Sequence, residues 1–229
     1  MRYNQPVIIN INKPRTWTSF DVVSYMRKKL NTKHIGHAGT LDPLATGVLL
    51  ILTDADTKKQ TEFMEQRKEY ISEVVLGAFS ETYDMEQIPI LSANIPSMTE
   101  VQEKVGSILE SFIGEQDQTA PAYSAKKVNG KVLYKEARHG RMEGIALPVK
   151  HITIFDIQNL GVYETSVVTD KGAVLLPTIK IKITCSSGTY IRSLAVDIAK
   201  AFGTEGVMFS LVRTAIGDYR LENAQSIEG

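Results

Sequence analysis

The sequence predicts an α+β fold with several long antiparallel strands, and three observations lead there. Strand patterns that alternate apolar and polar residues recur along the chain, as in "KEYISEVVLG" and "TIKIKITCSS". Other segments repeat apolar residues at helical spacing between recognisable cap residues. The Gly- and Pro-rich stretches fall between these elements, on connections and not inside them.

Taken in order, "PVIINI" reads as a strand and "SFDVVSYMRKKLN" as a helix. Phe20, Val23, Met26 and Leu30 supply the helical spacing, and Ser19 is the expected cap. "GVLLIL" reads as a buried strand, "DADTKKQTEFMEQ" as a helix begun near an Asp cap, and "KEYISEVVLG" as an alternating strand. "ETYDMEQIPILSANIP" has no sustained period and is expected to be a long surface loop. "SMTEVQEKVGSILESFIG" opens on a Ser97/Glu100 capping box and stops at Gly114. A turn is expected at Asn129–Gly130 inside "AYSAKKVNG", followed by a short helix in "KVLYKEARHG".

Strands follow at "HITIFDIQNL" and at "TIKIKITCSS", where Ile179, Ile181 and Ile183 alternate with Lys180, Lys182 and Thr184. "TYIRSLAVDIAKAFG" is a helix with Ile191, Leu194, Ala195 and Ile198 on one face and a stop at Gly203. "GVMFSLVRTAIG" is the last strand. No repeat, low-complexity tract or linker breaks the chain, so residues 1–229 read as a single domain with a basic arm at 124–151.

A chain of 229 residues can bury a substantial core without disulfides. Cys185 is the one cysteine, which excludes an internal disulfide and points to the cytoplasm, with the thiol expected to be buried. No apolar run reaches the length of a signal peptide or a membrane span. The 26 basic residues balance the 26 acidic ones, so net charge does not announce a polyanionic partner. Its distribution does: Lys126, Lys127, Lys131, Lys135, Arg138, Arg141 and Lys150 face only Glu136 and Glu143.

The chemistry-bearing stretch is "HIGHAGTLDPLATGVLLIL". Asp42 sits there in a loop whose Gly36, Gly39 and Gly47 allow close backbone approach, beside a strand that looks buried. Asp-Pro often starts a turn, but a carboxylate held against an apolar strand is costly unless it is used or paired. The histidines His34, His37, His139 and His151 lack metal-ligand spacing, and the loop lacks the phosphate-cradling GxxxxGK[ST] pattern. Neither a metal nor a nucleotide cofactor is expected.

"GHAGTLDPLATGVLLI" resembles the signature loop of the TruB family of tRNA pseudouridine synthases. "NKPRTWTSFDVV", "KEYISEVVLG", "ETYDMEQ", "PAYSAKKVNGKVLYKEARHG" and "CSSGTYIRSLAVDIA" resemble further motifs of that family, in the family's order along the chain. The resemblance implies the pseudouridine synthase fold, a mixed and mostly antiparallel central sheet flanked by helices with a protruding RNA-binding arm. It implies isomerisation of uridine to pseudouridine in the T loop of tRNA, at position 55, by base flipping, without a cofactor.

By the same resemblance Asp42 is the catalytic aspartate, either nucleophile at the sugar or the base that starts glycal formation, and Arg192 is its ion-pair partner. Tyr70 is implied to stack on the uracil and to accept the C5 proton, through water or directly. His37, Tyr190 and Leu211 are implied contacts of the flipped nucleotide, and Lys13, Lys68, Asp84, Lys127, Lys131 and Arg138 contacts of the RNA. The chain departs from the family pattern at Thr16, where glycine is expected, and at Ala38, Ser187 and Val212; the last two lose a positive charge. The expected partner is the tRNA T arm, met by a cytoplasmic monomer that needs no protein partner and has no C-terminal RNA-binding domain. A guide-RNA-dependent synthase, an RNA-binding or tRNA-folding protein without catalysis, and a glycosidase using Asp42 with Asp84 are the competing readings.

Overall fold

The structure, a computed structural model, describes residues 7–227. The elements run β1 (Ile8–Lys13), α1 (Ser19–Leu30), β2 (Ile35–Ala38), β3 (Thr46–Thr53), α2 (Gln60–Glu65), β4 (Lys68–Leu76), β5 (Ala78–Phe79), β6 (Ile90–Leu91) and α3 (Met98–Glu110). They continue as β7 (Gly114–Thr119), β8 (Lys127–Val128), β9 (Lys131–Val132), α4 (Leu133–Arg138), β10 (Val149–Thr169), β11 (Gly172–Cys185), α5 (Ile191–Ala201), β12 (Gly206–Ile216), β13 (Tyr219–Arg220) and β14 (Gln225–Ser226). The main sheet has the order β14-β1-β3-β12-β4-β11-β10-β7, with β2 added to β3 and β13 to β12. It is mixed: β1 and β2 pair antiparallel with β3, and β12 pairs parallel with β3. Among the described residues no helix is long and apolar enough to cross a membrane.

The chain packs as two compact units where the sequence suggested one domain. The first contains residues up to Ile71, Thr184–Ser187, and Leu211 onward; the second contains Ser72–Ile183 and Gly188–Ser210. In the first, "GVLLIL" is buried as predicted because β3 lies between β1 and β12 and is covered on both faces. One face meets α1 through Leu49, Ile51, Val22, Val23 and Met26. The other packs Val48, Leu50 and Leu52 against Phe63 and Ile216. In the second, Val75, Ala78, Val167, Leu176 and Val207 form a core cluster.

Local differences from the sequence reading have simple causes. The cap of α1 is Thr18, not Ser19: Thr18 and Asp21 close a capping box, while the Ser19 side chain turns inward to the backbone of Leu41. Phe20 is exposed, and Val22 takes the core position expected of it. The helix expected over 54–66 starts as a 3-10 turn, Asp54–Lys59, because Asp54 has a positive φ (48°) that an α-helix does not accept. The strand at "HITIFDIQNL" runs on to Thr169 and lies beside β11, and beyond Leu160 its burial no longer alternates regularly. The "GEQDQT" strand β7 went unread because it is a polar edge strand. The Asn129–Gly130 turn is as predicted, both residues having positive φ (51° and 78°) between β8 and β9.

Candidate active site

In the first unit, the loop 39–45 joins the antiparallel strands β2 and β3 and presents Asp42, which is half-buried. The surroundings pin that loop on several sides. Leu41 N donates to Ser19 Oγ (2.9 Å), Thr16 N to Pro43 O (2.8 Å) and Ala45 N to Asp42 O (3.1 Å). Lys13, fully buried, donates from Nζ to the carbonyls of Pro14 (3.0 Å), Trp17 (2.5 Å) and Pro43 (3.1 Å), which uses all three ammonium hydrogens. Burial pushes Lys13 down to about 8, with Asp42 pulling it back up and Arg213 adding to the fall.

Arg213, on β12 and 2% exposed, reaches across the other side. Its Nε donates to Val48 O (2.7 Å) and its Nη2 to Gly39 O (2.9 Å), so one side chain holds β3 and the start of the loop 39–45. Gly47 makes this possible: β12 comes so close in the parallel pairing of Arg213 with Gly47 that a Cβ would lie 2.2 Å from Arg213 O, and its φ is +103°. Gly39 has φ +86° and lies at the guanidinium. Gly36, by contrast, borders open space, so the close approach expected of it is absent.

Tyr70, on β4, is buried beside Arg213. Burial pushes the phenol up; Arg213 opposes this, and the neighbouring Cys185 and Asp42 add to it. Desolvation lowers Arg213, and Tyr70 and Asp42 counter that fall. The Asp42 carboxylate thus acts on Lys13, Tyr70 and Arg213 alike, which places the four groups close together. His37, on β2, is held below its usual value by burial and by Arg213, and its Nδ1 is buried without a hydrogen-bond partner. Leu211 is a buried residue of β12 in the same unit.

The second unit holds the other predicted residues. Arg192 is buried at the start of α5 and donates from Nη1 to Thr82 O (2.8 Å) and from Nη2 to Tyr123 O (2.9 Å). Its Nε lies 3.8 Å from Asp84 Oδ2. Tyr190, the N-cap residue of α5, is clamped by Gln118: Tyr190 N donates to Oε1 (2.7 Å) and Nε2 donates to Tyr190 O (3.0 Å). Lys127 and Lys131 are exposed on the β8–β9 hairpin and Arg138 ends α4. Arg138 meets Glu86 (3.8 Å), and Glu136 takes Arg141 (3.1 Å) and Lys131 (4.0 Å), so part of the basic segment is neutralised.

Three residues expected to contact RNA are buried within the protein. Lys13 and Lys68 are buried and hold backbone carbonyls, Lys68 those of Phe63, Met64 and Gln66, because a buried ammonium needs its hydrogens satisfied internally. Asp84 is buried at Arg192 and accepts from Glu86 N (3.0 Å). The sequence reading missed Arg213 as a site residue; a basic residue in an apolar strand, two positions after Leu211, was the available signal. Among the described residues no group of histidine, cysteine or carboxylate side chains could hold a metal ion.

The model of the TruB family pseudouridylate synthase N-terminal domain matches residues 27–191. Proteins called tRNA pseudouridine synthase B from Phocaeicola vulgatus and Parabacteroides distasonis are both 41% identical to the chain. The first alignment covers 100% of this chain and 93% of the relative, the second 96% and 90%. Among solved structures, an H/ACA ribonucleoprotein bound to a substrate RNA containing 2′-deoxyuridine has a TM-score of 0.63 at 23% identity, and a Cbf5-Nop10-Gar1 complex 0.65 at 24%. Each covers 96% of this chain, which spans about half the length of those chains (50% and 52%); that likeness is one of fold.

Proposed function

The chain belongs to the TruB family of pseudouridylate synthases, and from that membership we propose that it isomerises uridine to pseudouridine in tRNA, at position 55 of the T loop. The observation that carries the reading is Asp42, a carboxylate on a loop pinned by Lys13, Ser19 and Arg213, with Tyr70 beside the same guanidinium. In the reaction the C1′–N1 bond of the target nucleotide breaks, the freed uracil turns, a C1′–C5 bond forms and the C5 proton is lost as N1 gains one. Nothing is oxidised and no group is transferred to another molecule.

Asp42 acts at the sugar, as nucleophile at C1′ or as the base that removes the C2′ proton. Tyr70 forms one wall for the uracil. Its raised pKa keeps the phenol protonated at neutral pH, which argues against Tyr70 as the base that takes the C5 proton. We assign that proton to the Asp42 carboxylate once it has been released from the sugar. His37, neutral and with Nδ1 unsatisfied, is suited to accept or donate a hydrogen bond to a displaced nucleotide. The pairing of Arg192 with Asp42 rests on the resemblance alone. Higher identity to proteins named for tRNA (41%) than to the H/ACA ribonucleoprotein chain (23%) favours tRNA as substrate. We read the protein as a cytoplasmic monomer that needs no protein partner.

Purified protein incubated with unmodified tRNA should place pseudouridine in the T loop. Asp42→Asn keeps the shape and removes the charge; it should bind tRNA as the parent does and form no product. Turnover by that variant at an appreciable fraction of the parent rate would refute the assignment.

A further inference from the structure

The basic segment at 124–151 is not the only concentration of cations. Residues 27–34 hold Arg27, Lys28, Lys29 and Lys33, together with His34, and no carboxylate. Lys28, Lys29, Lys33 and His34 are exposed, and Arg27 is half-buried with its Nε lacking a hydrogen-bond partner. Asp54 borders the cluster: it accepts from Thr32 Oγ1 (3.2 Å) and its N donates to His34 O (2.8 Å). That bond ties the turn before β2 to the 3-10 turn Asp54–Lys59, which adds exposed Lys58. Among the described residues Arg27, Lys28, Lys29, Lys33 and Lys58 form no ion pair, whereas Lys131, Arg138 and Arg141 of the basic segment each meet a glutamate.

Helix electrostatics account for only part of this. Cations in the last turn of α1 complement its dipole, and Lys29 also lies 5.5 Å from the Tyr25 ring. Lys33 lies beyond the helix and Lys58 on another element, so the dipole explains neither. The cluster stands at the entry of β2, and His37 follows three residues after His34, about 10 Å along an extended strand. A short stretch of RNA backbone spans that distance.

We propose that the end of α1, the turn 31–34 and Lys58 form a second surface that grips RNA phosphates next to the flipped nucleotide, an inference that rests on the proposed tRNA substrate. Unpaired, solvated cations release the counterions of the RNA when they neutralise its phosphates, which sets both affinity and its dependence on salt.

The test compares two triple charge reversals with the same change in net charge. Lys28→Glu, Lys29→Glu, Lys33→Glu alters the surface. Lys104→Glu, Lys171→Glu, Lys200→Glu alters exposed lysines that already meet an acid neighbour. Binding of unmodified tRNA is measured across salt concentrations, with thermal unfolding to verify that both variants fold. The surface variant should bind at least about tenfold more weakly and show a log–log salt slope reduced by about 2 units, and the control should retain most of the parent slope. Equal losses in the two variants, or a surface variant with the parent slope, would overturn the proposal. Pseudouridine formation by the parent is assayed on the same RNA. A parent that binds tRNA without isomerising it would refute the proposed function, and the slope comparison would still decide the surface; a parent that fails to bind tRNA would refute both.

Discussion

Asp42 was legible as a single residue because an aspartate in a Gly-rich loop running into "GVLLIL" has few structural reasons to be there. Lys13 was not. Its motif marks it, but whether a lysine points at phosphate or at three carbonyls is decided by atoms distant in the chain, here Pro43 O. Its protonation gives a stability test with a definite sign. The folded pKa of about 8 lies below the ordinary 10.5, so between those values the unfolded chain holds a proton that the folded chain has released, and stability from this group rises with pH across that window. The difference in unfolding free energy between the parent and Lys13→Met should therefore shift in favour of the parent from pH 8 toward 10.5. A difference that does not vary with pH would show that Lys13 titrates normally. Thr16 occupies the family's glycine position and has φ 73°, so the departure noticed in the sequence carries backbone strain into the loop that contacts Pro43.

Between elements, the decisive contact is β3 against β12. The sequence predicts both strands, but not that they pair in parallel at Gly47 and Arg213, since register is set by the sheet around them. Gly47→Ala should destabilise the protein by more than about 2 kcal/mol in denaturant unfolding, because the new Cβ meets backbone and the φ is unfavourable. A loss below about 0.5 kcal/mol would contradict the close approach. Arg213→Lys keeps the charge but cannot hold Val48 O and Gly39 O with one planar fork beside Tyr70. The expected outcome is a kcat lowered about 100-fold with KM little changed, because the loop and Tyr70 lose their alignment and not their substrate contacts. A mutant altered in KM alone would make Arg213 a binding residue.

For the molecule as a whole, the question is how much of a tRNA the protein must see. In the proposed function Asp42, Tyr70, Arg213 and His37 require only an extruded nucleotide, and the exposed cations require only phosphate, since side chains read an RNA duplex poorly through its deep major groove. An isolated T-arm hairpin should therefore be modified with a kcat/KM close to that of whole tRNA, and changes in the loop should hurt more than changes in stem sequence. A hairpin that reacts orders of magnitude more slowly would place essential recognition elsewhere on the tRNA.

The sequence by itself determined the α+β class, the strands β1, β3, β4 and β12, the helices α1, α3 and α5, the burial of Cys185 and the loop that carries Asp42. These depend on local pattern: apolar period, caps, and glycines at turns. Only the tertiary structure decided that Lys13 and Lys68 are buried against backbone carbonyls, that Asp84 meets Arg192, and that Arg213 stands with Tyr70 and Asp42. It also decided which cations have acid partners: among the described residues, those of 124–151 in part, those of 27–34 not at all. Charge and chemistry are written residue by residue, but which charges meet depends on contacts between segments far apart in the chain, where local period carries no information.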